Sequence, residues 1–201
     1  MSETAEYIKS CESEFWQAVF RKEIEYILQA LHGYWKVLSV GCGPAIIERE
    51  LQKNGFVITG LDTSEEALSV VPENIKTVVG SAEKMEFPDA SFDAVLYVAS
   101  LQFIDNYEKA LQESARVLIP DGRLLVMLLN PASAFFKSKR RQANSYINNI
   151  KHTDLAEIEG GIRRFFVVER VEYYLGIRDG QIFDTRDPAL AALYIVQGAK
   201  R

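Results

Sequence analysis

The sequence predicts an α/β fold: a doubly wound, seven-stranded, mostly parallel sheet with helices on both faces and an antiparallel C-terminal edge. Three observations lead there. Short apolar runs alternate with helical stretches from Lys36 onward, as repeated strand–helix–strand units require. A glycine turn, Gly41-Cys42-Gly43-Pro44-Ala45, closes the first run, and Asp62 closes the second, 21 positions beyond Gly41.

The elements follow in order. Apolar residues at Trp16, Phe20, Ile24, Ile27 and Leu31 share one face of a helix, which Gly33 ends. Lys36 to Val40 is the first strand, and Ala45 to Lys53 a helix stopped by Asn54-Gly55. Phe56 to Leu61 is the second strand. Thr63-Ser64-Glu65-Glu66 matches a capping box in which Thr63 accepts the N–H of Glu66, so a helix should start there. Ile75 to Val79 and Phe92 to Val98 read as strands, Tyr107 to Leu118 as a helix, and Arg123 to Leu129 as a strand entered through Pro120-Asp121-Gly122. Beyond a polar, basic stretch from Pro131 to Lys151, a helix is expected over Thr153 to Arg164. Strands follow over Phe165 to Ile177 and Ala189 to Gln197, with Asp179-Gly180 a turn between them.

Composition narrows the function classes. At 201 residues with 48% hydrophobic and 25% charged, the chain can bury a full core as one domain. A net charge of −5 has the wrong sign for a protein that coats nucleic acid, although a local basic patch stays open. Cys11 and Cys42 are isolated, so neither a disulfide framework nor a metal site is expected. The acidic start lacks a signal-like apolar run and Leu124 to Leu129 is too short to cross a bilayer. A soluble cytoplasmic protein with no membrane or nucleic-acid partner is the expectation, with oligomeric state open.

In an open parallel sheet the ligand sits beyond the carboxyl ends of the strands, where strand order reverses. The glycine turn there lets a ligand approach backbone N–H groups, and Asp62 is placed to accept hydrogen bonds from both hydroxyls of a ribose. The position where a dinucleotide site carries its last glycine holds Ile46, and no lysine-bearing phosphate loop is present. An adenosine-like nucleoside without phosphates fits better than a dinucleotide or a nucleoside triphosphate.

Four blocks in this order resemble the S-adenosylmethionine-dependent methyltransferases of the Rossmann-like class, in particular the subgroup with small-molecule and quinone-biosynthesis enzymes. They are Val37-Leu38-Ser39-Val40-Gly41-Cys42-Gly43; Ile58-Thr59-Gly60-Leu61-Asp62-Thr63-Ser64; Gly80-Ser81-Ala82-Glu83 with Phe87-Pro88-Asp89-Ala90-Ser91-Phe92-Asp93; and Arg116-Val117-Leu118-Ile119-Pro120-Asp121-Gly122-Arg123-Leu124. The resemblance implies an N-terminal helical cover over 1–33, a cofactor-binding core over 34–130, a cap and helix over 131–164 and C-terminal strands over 165–201. It implies S-adenosylmethionine as cofactor, with its methionine end over Gly41, Cys42 and Gly43, its ribose on Asp62, and adenine beside Thr63, Ser81 and Ala82. Tyr97 and Val98 would line the sulfonium end. Arg21 is the candidate donor to the cofactor carboxylate, and Tyr7 and Trp16 would help close the site.

Two positions depart from that family's pattern: Ser39 and Ser81 stand where acidic residues are usual, and neither supplies a charge. Ala45 replaces the usual third glycine, and Gln102 stands where a histidine is frequent. No catalytic base is assigned; His152 is the only histidine beyond the core. The basic segment Phe135 to Arg141 is either a solvated loop or a cap that binds an anionic or carboxylated acceptor. The expected activity is methyl transfer to a small molecule. The alternatives are a methyltransferase-like protein that binds the cofactor or a partner without catalysis, kept open by Ser39 and Ser81, and an NAD-dependent oxidoreductase, disfavoured by Ile46.

Overall fold

In the computed structural model, which describes residues 3–143 and 145–201, the sheet is laid down by β1 (Lys36–Val40), β2 (Val57–Asp62), β3 (Lys76–Val79), β4 (Phe92–Val98), β5 (Leu118–Leu129), β6 (Phe166–Arg178), β7 (Gln181–Phe183) and β8 (Ala191–Lys200). Their order is β3-β2-β1-β4-β5-β8-β6-β7. The first five are parallel, and β8, β6 and β7 run antiparallel beside β5. Strand order reverses at β1, whose two neighbours are β2 and β4, so the crevice lies over the carboxyl end of β1.

The expected sheet had seven strands; the described residues form eight. The additional one is β7, three residues long, paired to β6 across the Asp179-Gly180 turn. That turn therefore joins β6 to β7, and β8 returns separately into the middle of the antiparallel half. A three-residue edge strand is too short to show an alternating pattern in the sequence.

The helices are α1 (Glu3–Cys11), α2 (Glu14–Ala30), α3 (Ile46–Lys53), α4 (Glu65–Leu68), α5 (Tyr107–Val117), α6 (Ala134–Arg140) and α7 (Leu155–Phe165). Alternation along the central strands sorts them onto two faces. Val37, Ala94, Leu96, Leu125 and Met127 pack with Val19 and Ile27 of α2, Ile47 and Leu51 of α3, and Phe135 and Phe136 of α6. Leu38, Val95, Tyr97, Leu124 and Val126 pack with Leu111 of α5 and Ile158 and Ile162 of α7. Burying one aliphatic or aromatic side chain stabilises by about 1.5–3 kcal/mol, so these two layers hold the crevice rigid from below.

The second helix of the core starts one residue later than the capping box predicts. Asp62 Oδ1 accepts the N–H of Ser64 at 2.8 Å, which turns the chain so that Ser64, not Thr63, caps α4 by accepting from Ala67 N at 3.1 Å. The aspartate competes for the local donors and wins. The N-terminal cover is two helices rather than one, with Ser13 capping α2. Positions 1–2 of that cover and 144 of the expected cap lie outside the described residues.

Candidate functional site

A cavity of about 540 Å³ opens over the carboxyl ends of β1, β2 and β4. Its base is the turn after β1, which only small or left-handed residues can make. Gly41 has φ +72 and a Cβ there would stand 2.5 Å from Ser100 Cβ; Ser100 in turn donates to Val40 O at 2.6 Å. Ala45 takes a left-handed conformation, φ 56, where the resemblance expects glycine. On β2, a Cβ at Gly60 would stand 2.6 Å from Cys42 Sγ, so glycine there leaves room for the thiol. Burial raises the Cys42 thiol above its ordinary range, with Glu48 and Asp62 adding to the effect, which keeps it protonated and a poor nucleophile.

The turn does not present N–H groups to a ligand, contrary to the sequence expectation. Gly41 N and Cys42 N donate to Leu61 O at 2.7 and 3.3 Å, Gly43 N to Asp62 Oδ2 at 2.8 Å and Ala45 N to Cys42 O at 3.0 Å; Pro44 has none. Each of these donors is satisfied internally, so the turn is not an anion cradle. Asp62 holds both Gly43 and Ser64 and still has lone pairs for two hydroxyls of a ligand.

The predicted residues divide cleanly. Gly41, Cys42, Gly43, Asp62, Thr63, Ser81, Ala82 and Val98 line the cavity, as do Tyr7 and Trp16. Tyr97 does not: it is one step out of phase with Val98 on β4, points to the opposite face of the sheet, and its hydroxyl lies 2.7 Å from Ser114 Oγ in the core. Arg21 does not either. On α2 the cavity face is Trp16, Phe20 and Glu23, and Arg21 is exposed a quarter-turn away. Lys139, Arg140 and Arg141 also stay outside; Phe135 and Phe136 anchor α6 on the sheet, and Lys139 Nζ lies 5.9 Å from the ring centre of Trp16. Gln102 is fully buried and clamps Leu129 and His152 through their backbone. His152 Nε2 meets Ile104 O and Asp105 O and does not line the cavity.

The loop carrying Ser81 and Ala82 is anchored by Arg116 on α5. Its guanidinium donates to Met85 O and Phe87 O at 2.8 Å and to Asp89 Oδ1 at 2.7 Å, while Glu113 pairs with it and accepts the N–H of Met85.

Sequence reasoning missed two buried carboxyl groups. Ser39 Oγ donates at 2.5 Å to Glu48 Oε1 on α3, so a carboxyl lies beside the position where the resemblance expects one. Burial pushes Glu48 up to about 7, against the opposing hydrogen bond from Ser39. Glu23 on α2 is 5% exposed, has no hydrogen-bond or ion-pair partner among the described residues, and burial pushes its carboxyl up to about 8. The signal was available: both are acidic residues set within or beside the apolar stripe of a helix, next to Ile47 and Leu51 and between Val19 and Ile27.

Residues 38–126 match the family described as "Methyltransferase domain". The matched segment is a methyltransferase domain. It contains the glycine turn, Asp62, the Ser81 loop and β4. The demethylmenaquinone methyltransferase of Tropheryma whipplei (strain Twist) is 35% identical over 96 residues, which cover 45% of this chain and 40% of that protein. The enzyme of the same name from Corynebacterium glutamicum (strain R) is 36% identical over 109 residues, 54% of this chain and 47% of that one. The chain thus matches less than half the length of these curated relatives. A crystal structure from Thermotoga maritima, described as a SAM-dependent methyltransferase and possible histamine N-methyltransferase, superposes with a TM-score of 0.74 at 21% identity over 99% of both chains. The methyltransferase domain and the strands beyond it therefore share that fold. Among the described residues no helix is long and apolar enough to cross a membrane, and no His/Cys/Asp/Glu cluster could hold a metal ion.

Proposed function

We propose that this chain binds S-adenosylmethionine in the cavity over β1, β2 and β4 and transfers its methyl group to a small-molecule acceptor. The observation that carries the reading is the chemistry of the donor set. Asp62 offers acceptors for a ribose, Glu48 offers a carboxylate for an ammonium, and every N–H of the turn is already satisfied, which disfavours pyrophosphate. A cationic nucleoside without phosphates fits such a site; NAD does not. When bound, the cofactor supplies an electrophilic methyl group on a sulfonium.

The chain's own part is positioning and exclusion of water. Gly41 makes room for Ser100 beneath the turn, Gly43 lets the ligand lie close to the backbone, Thr63, Ser81 and Ala82 border the adenine end, and Tyr7 and Trp16 cover the methionine end. The non-catalytic reading relied on a charge missing at Ser39, and Glu48, which accepts a hydrogen bond from Ser39 and lines the cavity, supplies a carboxyl there. Arg21 and the basic segment 137–141 have no part in the site proposed here.

Calorimetric titration with S-adenosylmethionine and S-adenosylhomocysteine, with NAD as control, tests the reading. Micromolar binding of both sulfur nucleosides and none of NAD is the expected result. Binding of NAD alone, or of none at millimolar ligand, would overturn it.

A further inference from the structure

We propose that the acceptor is an amine, held in a box of aromatic rings that has one carboxyl group, Glu23, for the nitrogen. The inference rests on the methyltransferase reading and adds the class of substrate.

The box is built from four places in the chain. Trp16, Phe20 and Glu23 share one face of α2 at intervals of four and three residues. Tyr7 comes from α1, and Phe103 and Tyr146 from single 3-10 turns at Leu101–Phe103 and Tyr146–Asn149. The rings are joined: Trp16 to Phe20 at 6.0 Å between centroids, Trp16 to Tyr146 at 6.2 Å, Tyr146 to Phe103 at 6.3 Å and Tyr146 to Tyr7 at 6.2 Å. All five rings and Glu23 line the same cavity as Gly41 and Asp62.

A buried carboxyl group without a partner is costly, and a fold keeps one where something else completes it. Among the described residues no cation completes Glu23. The titratable groups around it are Tyr7 and Cys11 of α1 and Tyr146, none of them basic. The other charged groups lining the cavity are Glu48, Asp62, Glu83 and Asp105, with Lys151 already paired to Asp105 at 2.7 Å. An anionic acceptor would meet carboxylates throughout. An amine gains an ion pair with Glu23 and the faces of the surrounding rings, the combination that recognises organic cations.

In the step itself, an ammonium gives a proton to the Glu23 carboxylate and the freed lone pair on nitrogen forms the new N–C bond. The S–C bond breaks with its electron pair staying on sulfur. The products are an N-methylammonium and a thioether, and Glu23 returns its proton to water. Burial pushes that carboxyl up to about 8, close to where a proton acceptor works best at neutral pH. Of the box, only Phe103 falls inside residues 38–126, so the acceptor end belongs to this chain rather than to the matched domain.

The test is calorimetry on the protein loaded with S-adenosylhomocysteine, titrated with phenethylamine, phenethyl alcohol and hydrocinnamate, three probes of one shape and different charge. Binding of the amine roughly tenfold or more tighter than either other probe is expected, from the loss of one charged hydrogen bond. Glu23→Gln should abolish that preference and leave S-adenosylhomocysteine binding unchanged, while Glu23→Asp should restore part of it. Equal binding of the three probes, binding of none, or a preference that survives Glu23→Gln would overturn the inference. Failure to load with S-adenosylhomocysteine would instead overturn the methyltransferase reading.

Discussion

Replacing Glu48 by glutamine changes a charge and almost nothing else. The amide oxygen can accept the same bond from Ser39 Oγ, and the side chain keeps its shape in a site that is only 3% exposed. Burial raises the carboxyl from 4.5 to about 7. Below pH 4.5 the folded and unfolded chains both hold the proton, and Glu48 has no effect on the pH dependence. Between pH 4.5 and 7 the unfolded chain loses the proton while the folded one keeps it, so stability falls as pH rises, and above pH 7 the loss is complete. At about 1.4 kcal/mol per pH unit the loss is about 3 kcal/mol. Relative to wild type, Glu48→Gln should therefore be equally stable near pH 4.5 and about 3 kcal/mol more stable above pH 7.5, a rise in Tm of about 6–12 °C for a chain of this size. Thermal melts of both proteins across that range measure it. A gap that is the same at every pH would refute the burial argument. The carboxyl also gives the ligand a signature: below pH 7, S-adenosylhomocysteine should displace a proton from wild type, seen as a heat that varies with buffer, and not from Glu48→Gln.

Asp62→Ala should weaken S-adenosylhomocysteine roughly 100-fold or more, from two lost hydroxyl bonds at about 1.5 kcal/mol or more each, and calorimetry reads it directly; unchanged affinity would remove the ribose assignment. Gly60→Ala places a methyl group 2.6 Å from Cys42 Sγ and should cost about 1–3 kcal/mol in urea unfolding, with faster maleimide labelling of the displaced thiol. Slower labelling, or none of the stability loss, would contradict the contact. Arg116→Ala removes the bonds to Met85 O, Phe87 O and Asp89, and should lower hydrogen-exchange protection over residues 82–91 while leaving β1 unaffected. Protection equal to wild type would show that the loop holds itself.

The strands and the crevice were legible because their signals are local. Lys36–Val40 and Phe92–Val98 are bounded as the sequence predicts, and the glycine turn and Asp62 stand where β1 and β2 end. What was not legible depends on phase and on competition between neighbours. Tyr97 and Val98 are adjacent in the sequence and on opposite faces of the sheet, and the resemblance gave no reason to separate them. Arg21 has the right charge on the wrong side of α2. Thr63 and Ser64 are both good caps, and the choice between them was made by Asp62, which also holds the glycine turn. Ser39 looked like a charge lost because its partner, Glu48, comes from the next helix. The basic segment left a solvated loop and a cap both open because its lysines and arginines are conspicuous, whereas Phe135 and Phe136 decide where α6 packs.

The meeting of Tyr7 and Tyr146 bears on how the cavity opens. Tyr7 belongs to the first helix and Tyr146 to a turn beyond the fifth strand, and their rings touch at the rim of the cavity, the Tyr7 ring coming within 3.8 Å of where a Gly43 Cβ would stand. An aromatic contact of this kind holds about 0.5–1.5 kcal/mol, far less than the sheet beneath it. Parting the two rings therefore costs far less than opening the frame. On the reading proposed above, a nucleoside leaving past Tyr7 and Tyr146 would have to part that one contact and would leave the sheet beneath it intact.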